Sequence, residues 1–174
     1  ETLAETFASV APALAAQPSE ETARLMAASN EELDAELLGI FLEEAHEVLE
    51  TIAEHRNKVV AEPHDFESLT TARRGFHTLK GSSRMVGLTD FSEAARFVEM
   101  AMNRWLQLEK DADASLISLL DNACLLFGAW VEQLESGGGL WRDAAALTAQ
   151  AQNLLGALDS PADEMNTPAA LVGA

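Results

Sequence analysis

The sequence contains one cysteine, Cys124, and no tyrosine. Because a disulfide needs two thiols, none can form within this chain, which is compatible with a reducing compartment. Glycine is scarce before Gly137, and neither strand-like alternation nor an Asn-Gly or Asp-Gly turn is found. Since alanine, leucine and glutamate dominate what remains, the composition predicts an all-α protein.

Basic residues are also few, with 11 lysines and arginines against 29 acids and a net charge of -18. Such a surface repels phosphates, so nucleic acid and anionic membranes are excluded as partners. The start of the sequence lacks the basic flank of a signal peptide. We expect no membrane insertion, because no apolar run is long enough to span a bilayer, which takes roughly 20 residues. The interpretation is a cytoplasmic chain.

Apolar residues recur at steps of three and four, which predicts four long amphipathic helices. Similar lengths and short connections predict an antiparallel four-helix bundle over residues 30–135. Capping residues, prolines and glycines set the expected ends. The helices are predicted to follow Asn30 and end before Pro63, to run from Asp65 to Gly87, to start at Thr89 or Asp90, and to span Asp113 to Glu135.

The remaining residues are divided into three segments. Residues 1–29 form an N-terminal extension with an expected short helix, and residues 159–174 form an expected flexible tail. Residues 136–158 contain a glycine linker and an extra helix over 140–158. Cys124 and the three tryptophans lie on apolar stripes, so core positions are predicted for Trp105, Trp130, Trp141 and Cys124.

His77 lies at the edge of the buried stripe of the second predicted helix, about 100° around the axis from the core residue Phe76. A neutral imidazole nitrogen is a good nucleophile, and a transferring phosphoryl group spreads negative charge over three oxygens. Lys80, one turn away, could neutralise that charge. Residues on or near the same helix face are Arg73, Lys80, Gly81 and Arg84.

Gly81 costs the helix about 1 kcal/mol relative to alanine, so some gain should offset it. One reading is the close approach of a partner to His77, and the other is close packing between helices. The neighbouring basic residues likewise have two readings, a phosphate site or a solvated face.

Residues 74–88 read RGFHTLKGSSRMVGL, which resembles the signature of histidine-containing phosphotransfer (HPt) domains, closest to those of chemotaxis-type histidine kinases. The resemblance covers about residues 30–135, and residues 37–106 resemble HPt modules of composite kinases that control type IV pili and twitching motility. It implies that His77 Nε2 accepts a phosphoryl group from a histidine kinase catalytic domain. The group then passes to an aspartate of a response-regulator receiver domain. Lys80 would support the phosphate, and Gly81 would keep the site open.

The resemblance also implies a glutamate on the next helix that binds the histidine Nδ1, and the spacing indicates Glu99. Glu99 follows the core residue Val98 as His77 follows Phe76, so the two could meet across the helix pair. A solvated glutamate is the alternative. Arg96 stands where some family members have a second histidine, and it could contact phosphate or solvent; Arg73 and Arg84 are further possible phosphate or partner contacts.

Two rival functions are a helical interaction module without phosphate chemistry and a metal-carboxylate bundle enzyme. The enzyme would need paired Glu-x-x-His motifs, and only residues 43–46 offer one. His46, His55 and His64 lack convincing metal-ligand spacing. We therefore predict a phosphoryl carrier, monomeric when isolated, with no cofactor, no metal and no ATP-binding site of its own.

Overall fold

The computed structural model describes residues 19–160, which form five helices and, within that range, no strand. The all-α prediction is therefore confirmed, while the expectations for residues 1–18 and 161–174 lie outside the described residues. The helices are α1 (Glu20–Ala61), α2 (Phe66–Met85), α3 (Thr89–Gln107), α4 (Ala114–Glu135) and α5 (Ala145–Leu158).

Two units divide the chain, residues 1–36 and residues 37–174. The described part of the first unit is the beginning of α1, and the second unit carries the bundle. The prediction that the first helix starts at Asn30 is wrong, because α1 begins at Glu20. Glu20 and Glu21 place negative charge in the first turn, where the helix dipole favours it. The alanine-rich and glutamate-rich sequence that follows contains no proline before Pro63, so the helix can continue to Ala61.

Helices α2 and α4 begin directly after Asp65 and Asp113, the aspartates at which the sequence predicted their starts. The Asp65 carboxylate accepts the backbone N–H of Ser68 at 3.0 Å and its hydroxyl at 2.6 Å. These hydrogen bonds lower the pKa of Asp65. Asp113 accepts the backbone N–H groups of Ser115 and Leu116 in the same way. Both aspartates thus satisfy donors that a helix start leaves without partners.

Helix α3 starts at Thr89, as predicted, but no polar side chain caps it. Leu88 is its N-cap and makes no side-chain capping bond, whereas Thr89 and Asp90 lie inside the first turn. Gly87 adopts a φ of 82°, the left-handed conformation that glycine tolerates best. The chain therefore turns from α2 into α3 through Gly87 rather than through a polar cap.

Helices α1 to α4 form the predicted four-helix bundle, and cross-helix pairs show that neighbours run antiparallel. Arg56 of α1 donates to both carboxylate oxygens of Asp121 of α4, at 2.7 and 3.0 Å. Earlier in α1, His46 pairs with Glu135, which lies later in α4, as antiparallel helices require. Aromatic rings fill the centre, where the ring centroid of Phe91 lies 4.7–5.4 Å from those of three other rings. Those three rings belong to Phe41, Phe127 and Trp130.

Gly75 lets α1 and α2 approach closely. A Cβ at this position would lie 2.6 Å from Cγ1 and 2.8 Å from Cδ1 of Ile52, which is fully buried. No sequence pattern predicted a role for this glycine. Its lack of a side chain is what allows α1 to pack over the middle of α2.

The fifth helix starts at Ala145 rather than at residue 140, and Trp141 is 63% exposed, so its predicted core position is wrong. Side chains of α4 hold the preceding loop in a non-helical path. Trp130 Nε1 donates to the carbonyl of Leu140, and Gln133 Nε2 donates to the carbonyl of Trp141. Trp105 and Trp130 are buried as predicted.

By length and composition, α4 is the one described helix that could cross a membrane, so the expectation of no such run is wrong. Its apolar side chains have another explanation. Leu116, Phe127 and Trp130 are buried in the bundle, where packing against the other helices accounts for their hydrophobicity.

Candidate functional site

His77 projects from the middle of α2 with its side chain 64% exposed, while its neighbour Phe76 is fully buried. Its Nδ1 lies 2.6 Å from Oε1 of Glu99 on α3. An ionised carboxylate can only accept, so this bond places the proton of the neutral ring on Nδ1. The lone pair is then on Nε2, which makes Nε2 the nucleophilic atom.

Glu99 is almost completely buried, with 6% of its surface exposed, and both of its oxygens have partners. Oε2 lies 2.7 Å from Nζ of Lys80, and Oε1 receives His77. Burial alone would raise the pKa of Glu99, but the hydrogen bonds from Lys80 and His77 outweigh it and the pKa is lowered. The carboxylate is therefore ionised at neutral pH and can hold both partners.

Lys80 and His77 bind the two oxygens of the same carboxylate, that of Glu99, so a positive charge lies close to the imidazole ring. Its ammonium has three donors, of which the bond to Glu99 uses one. The side chain is only partly exposed, so solvent screens it less than a free surface lysine. Lys80 can therefore bind an incoming anion while it keeps its bond to Glu99.

Gly81 faces open space. A Cβ built there would meet no other part of the described chain within 4 Å, apart from its own helix backbone and immediate neighbours. Close packing between helices, one of the two readings of the sequence, therefore does not explain this glycine. The open surface beside His77 is the feature that remains.

The other predicted residues are placed differently. Arg73 donates to Asn103 Oδ1 of α3 at 3.2 Å, one helical turn from His77, and Arg84 is exposed in the last turn of α2. Arg96 is engaged by Glu93, at 2.5 Å from Nη2, and by the ring of Phe97. The structure thus brings together His77, Lys80 and Glu99, whereas the recorded contacts of Arg96 lie on its own helix.

Two serines near the site were missed by the sequence analysis. Ser92 of α3 and Ser83 of α2 both donate their hydroxyls to the backbone carbonyl of Lys80, at 2.8 and 3.2 Å. Both side chains are buried. The available signal was spacing, because Ser92 precedes Glu99 by seven residues and so lies on the same face of α3.

The three remaining histidines contact the chain elsewhere. His46 pairs with Glu135, His64 Nδ1 lies 2.5 Å from Asp111 Oδ1, and His55 Nδ1 lies 2.9 Å from a backbone carbonyl. Among the side chains that the structure describes, no group of three or more could hold a metal ion. Burial raises the pKa of the Cys124 thiol to about 11, so it is protonated and a poor nucleophile at neutral pH.

Comparison with known proteins places this geometry in a family. The pattern of the Hpt domain matches residues 36–161. Chemotaxis protein CheA of Borreliella burgdorferi is 28% identical over 85 residues, which are 49% of this chain and 10% of that relative. This chain therefore matches only about a tenth of the relative's length, and no solved structure matches it. The narrower resemblance to pilus-motility kinases stays a prediction.

The Hpt match covers well over half of the chain and includes His77, Lys80 and Glu99. A helical bundle that exposes a histidine in mid-helix agrees with that match. Part of the chain is thus similar to a chemotaxis protein, and the chain belongs to the Hpt domain family.

Proposed function

We propose that His77 is a phosphoryl carrier that takes its group from a histidine kinase catalytic domain and gives it to an aspartate of a receiver domain. The observation that carries this proposal is the 2.6 Å contact between His77 Nδ1 and Glu99, on a ring whose opposite edge is exposed. Membership of the Hpt family supports phosphotransfer in general.

The transfer consists of two displacements at phosphorus. In the first, the Nε2 lone pair of His77 forms an N–P bond as the bond to the leaving ADP oxygen breaks. The ring then carries positive charge, which the ionised Glu99 stabilises through Nδ1–H. In the second, an aspartate oxygen of the receiver attacks, the N–P bond breaks and the neutral ring returns. The Nδ1 proton stays in place throughout.

Lys80 supplies the positive charge in this scheme. Its two remaining N–H donors can bind phosphoryl oxygens while the third stays on Glu99. Arg73, held by Asn103 one turn away, and the exposed Arg84 are further candidates for contacts with phosphate or with the partner. Arg96 is a weaker candidate because Glu93 already neutralises it.

Partners approach from the exposed side of α2 and α3. The receiver docks over this helix pair, where Gly81 leaves room beside His77. The chain acts as a carrier and relies on a separate kinase domain for ATP. These partners imply a cytoplasmic location, and the isolated domain is expected to be monomeric, with no nucleic-acid partner.

The test is phosphorylation of the wild-type chain and of His77→Gln by a chemotaxis-type kinase domain with radiolabelled ATP. We expect acid-labile, base-stable label on the wild type and none on the variant, because glutamine offers no ring nitrogen. His55→Gln is the matched control and should be labelled like the wild type. Equal labelling of wild type and His77→Gln would contradict the proposal. No label on any of them, with a kinase active on its own Hpt domain, would favour a pure interaction module.

A further inference from the structure

The backbone of Lys80 is held by a second helix, a contact separate from those of its side chain. The hydroxyl of Ser92, on α3, donates to the Lys80 carbonyl at 2.8 Å. Inside a helix a carbonyl also accepts the N–H of the residue four positions later, which uses one of its two lone pairs. The Ser92 hydroxyl and, in a longer bond, the Ser83 hydroxyl share the other lone pair. Ser92 is buried, and α2 and α3 pack extensively against each other.

Lys80 is therefore anchored to α3 at both of its ends. Its carbonyl binds Ser92, and its ammonium binds Glu99 at 2.7 Å. Ser92 and Glu99 are two turns apart on one face of α3, so the two anchors lie on the same rigid element. The α3 backbone fixes the separation of Ser92 and Glu99, and so it fixes how far the lysine side chain must extend from its own backbone to reach Glu99.

This segment of α2 has reason to need an anchor. Gly81 follows Lys80 and contributes no side chain to packing, and α2 ends at Met85. Helix ends fray, and a glycine in the last turns makes unwinding easier. A cross-helix hydrogen bond at Lys80 opposes that loosening at the place where the site needs a fixed geometry.

We propose that Ser92 is a positioning residue, which holds the Lys80 backbone against α3 so that the lysine ammonium stays on Glu99 beside His77. This inference rests on the proposed phosphotransfer function. Ser92 touches neither the phosphoryl group nor the imidazole, and it acts through Lys80. Without its hydroxyl, the last turns of α2 move away from α3, and Glu99 keeps His77 but loses part of its contact with Lys80.

The first test is the phosphotransfer rate of Ser92→Ala in the full chain. We expect a loss of roughly two- to tenfold, the value of one hydrogen bond expressed as a rate. Ser82→Ala is the matched control, because the Ser82 hydroxyl donates to the Thr78 carbonyl within α2 and does not cross to α3. Ser92→Thr retains the hydroxyl and should restore most of the rate. A Ser92→Ala rate equal to that of Ser82→Ala would overturn the inference.

A double-variant cycle separates positioning from general destabilisation. In a Lys80→Ala background the ammonium is absent, so Ser92→Ala should cause no further loss of rate. An equal loss in both backgrounds would mean that Ser92 only supports the fold, and the inference would fail. Should Ser92→Ala not fold, Ser92→Cys serves instead, since it has similar volume and is a much weaker donor.

A measurement that needs no kinase keeps this inference distinct from the proposed function. Carboxyl-carbon NMR of Glu99 in the unphosphorylated chain follows its titration against pH. We expect Ser92→Ala to raise the pKa of Glu99, because burial persists while Lys80 withdraws, and Ser82→Ala to leave it unchanged. If Glu99 titrates identically in both variants, the positioning role is wrong even if His77 is phosphorylated. If Glu99 responds as expected while His77 takes no label, the proposed function fails and the anchor stands.

Discussion

At the scale of single residues, Glu99 decides how His77 behaves. A buried carboxylate is unfavourable unless hydrogen bonds and opposite charge compensate its lost hydration. Glu99 obtains this compensation from Lys80 and His77, and its pKa is lowered as a result. The contacts that stabilise the buried Glu99 carboxylate thus include the one that places the proton of the neutral His77 ring on Nδ1.

The lowered pKa predicts how folding depends on pH. A carboxyl group with a folded pKa below its unfolded value, about 4.3, stabilises the fold fully above that value. Its contribution is lost as pH falls through the folded pKa. Replacing Glu99 by Gln should therefore lower the free energy of unfolding at pH 7 and reduce the loss of stability below about pH 4.3.

Urea unfolding from pH 7 to pH 3 measures this difference. Glu44→Gln, at an exposed position of α1, is the control for losing one negative charge. If the stability curves of wild type and Glu99→Gln stay parallel over this range, the ionised Glu99 does not contribute as inferred.

At the scale of helices, two glycines of α2 have opposite roles. A Cβ at Gly75 would lie only 2.6 Å from Cγ1 of Ile52 on α1, whereas a Cβ at Gly81 would meet open space. One glycine makes helix packing possible, and the other leaves room on the surface. The sequence shows both as mid-helix glycines and does not tell them apart.

Alanine substitution should separate the two glycines. Gly75→Ala should lower the free energy of unfolding by about 1–3 kcal/mol through overpacking, because Ile52 is fully buried and has little room to shift. Gly81→Ala should raise it by about 0.5–1 kcal/mol through helix propensity, and slow phosphotransfer by crowding His77. Chemical unfolding and transfer kinetics check both effects.

Gly128→Ala is the matched control for this pair. Gly128 lies on α4, and a Cβ there would also meet open space. It should gain stability as Gly81→Ala does while leaving transfer unchanged. If Gly81→Ala transfers as fast as Gly128→Ala, the open surface beside His77 is not used by a partner.

At the scale of the whole molecule, α5 completes the core. Leu147, Ala151 and Leu158 are buried, and α5 packs on both α3 and α4. Arg104 of α3 also pairs with Asp159, just after α5, at 2.6 Å. The fifth helix therefore belongs to the same packed unit as the helix that carries Glu99.

Truncating one leucine of α5 tests this conclusion. Leu147→Ala should cost about 2–4 kcal/mol of unfolding free energy through lost burial and a residual cavity. Leu125→Ala, at a 71% exposed position of α4, should change it by no more than about 0.5 kcal/mol. Circular dichroism and tryptophan fluorescence should report one shared transition for Leu147→Ala. Two separate transitions would show that α5 folds independently of the bundle.

The sequence by itself determined the helical class, most helix ends and the position of His77. Local physics carries this information, because hydrophobic period, Pro63 and the capping aspartates act within a few residues. It failed where local signals competed, as at Asn30, which is suitable as a cap but lies inside α1. It also failed at Trp141, whose backbone is held in a loop by a hydrogen bond from Gln133.

Only the tertiary structure decided which residues share the site. The sequence placed Glu99 opposite His77 by analogy, but the second partner of Glu99 and the Ser92 anchor are contacts between α2 and α3. The register of two packed helices depends on every side chain between them, so a single helix cannot specify it. For the same reason, the close packing at Gly75 and the open surface at Gly81 became distinguishable only once α1 and α3 were in place.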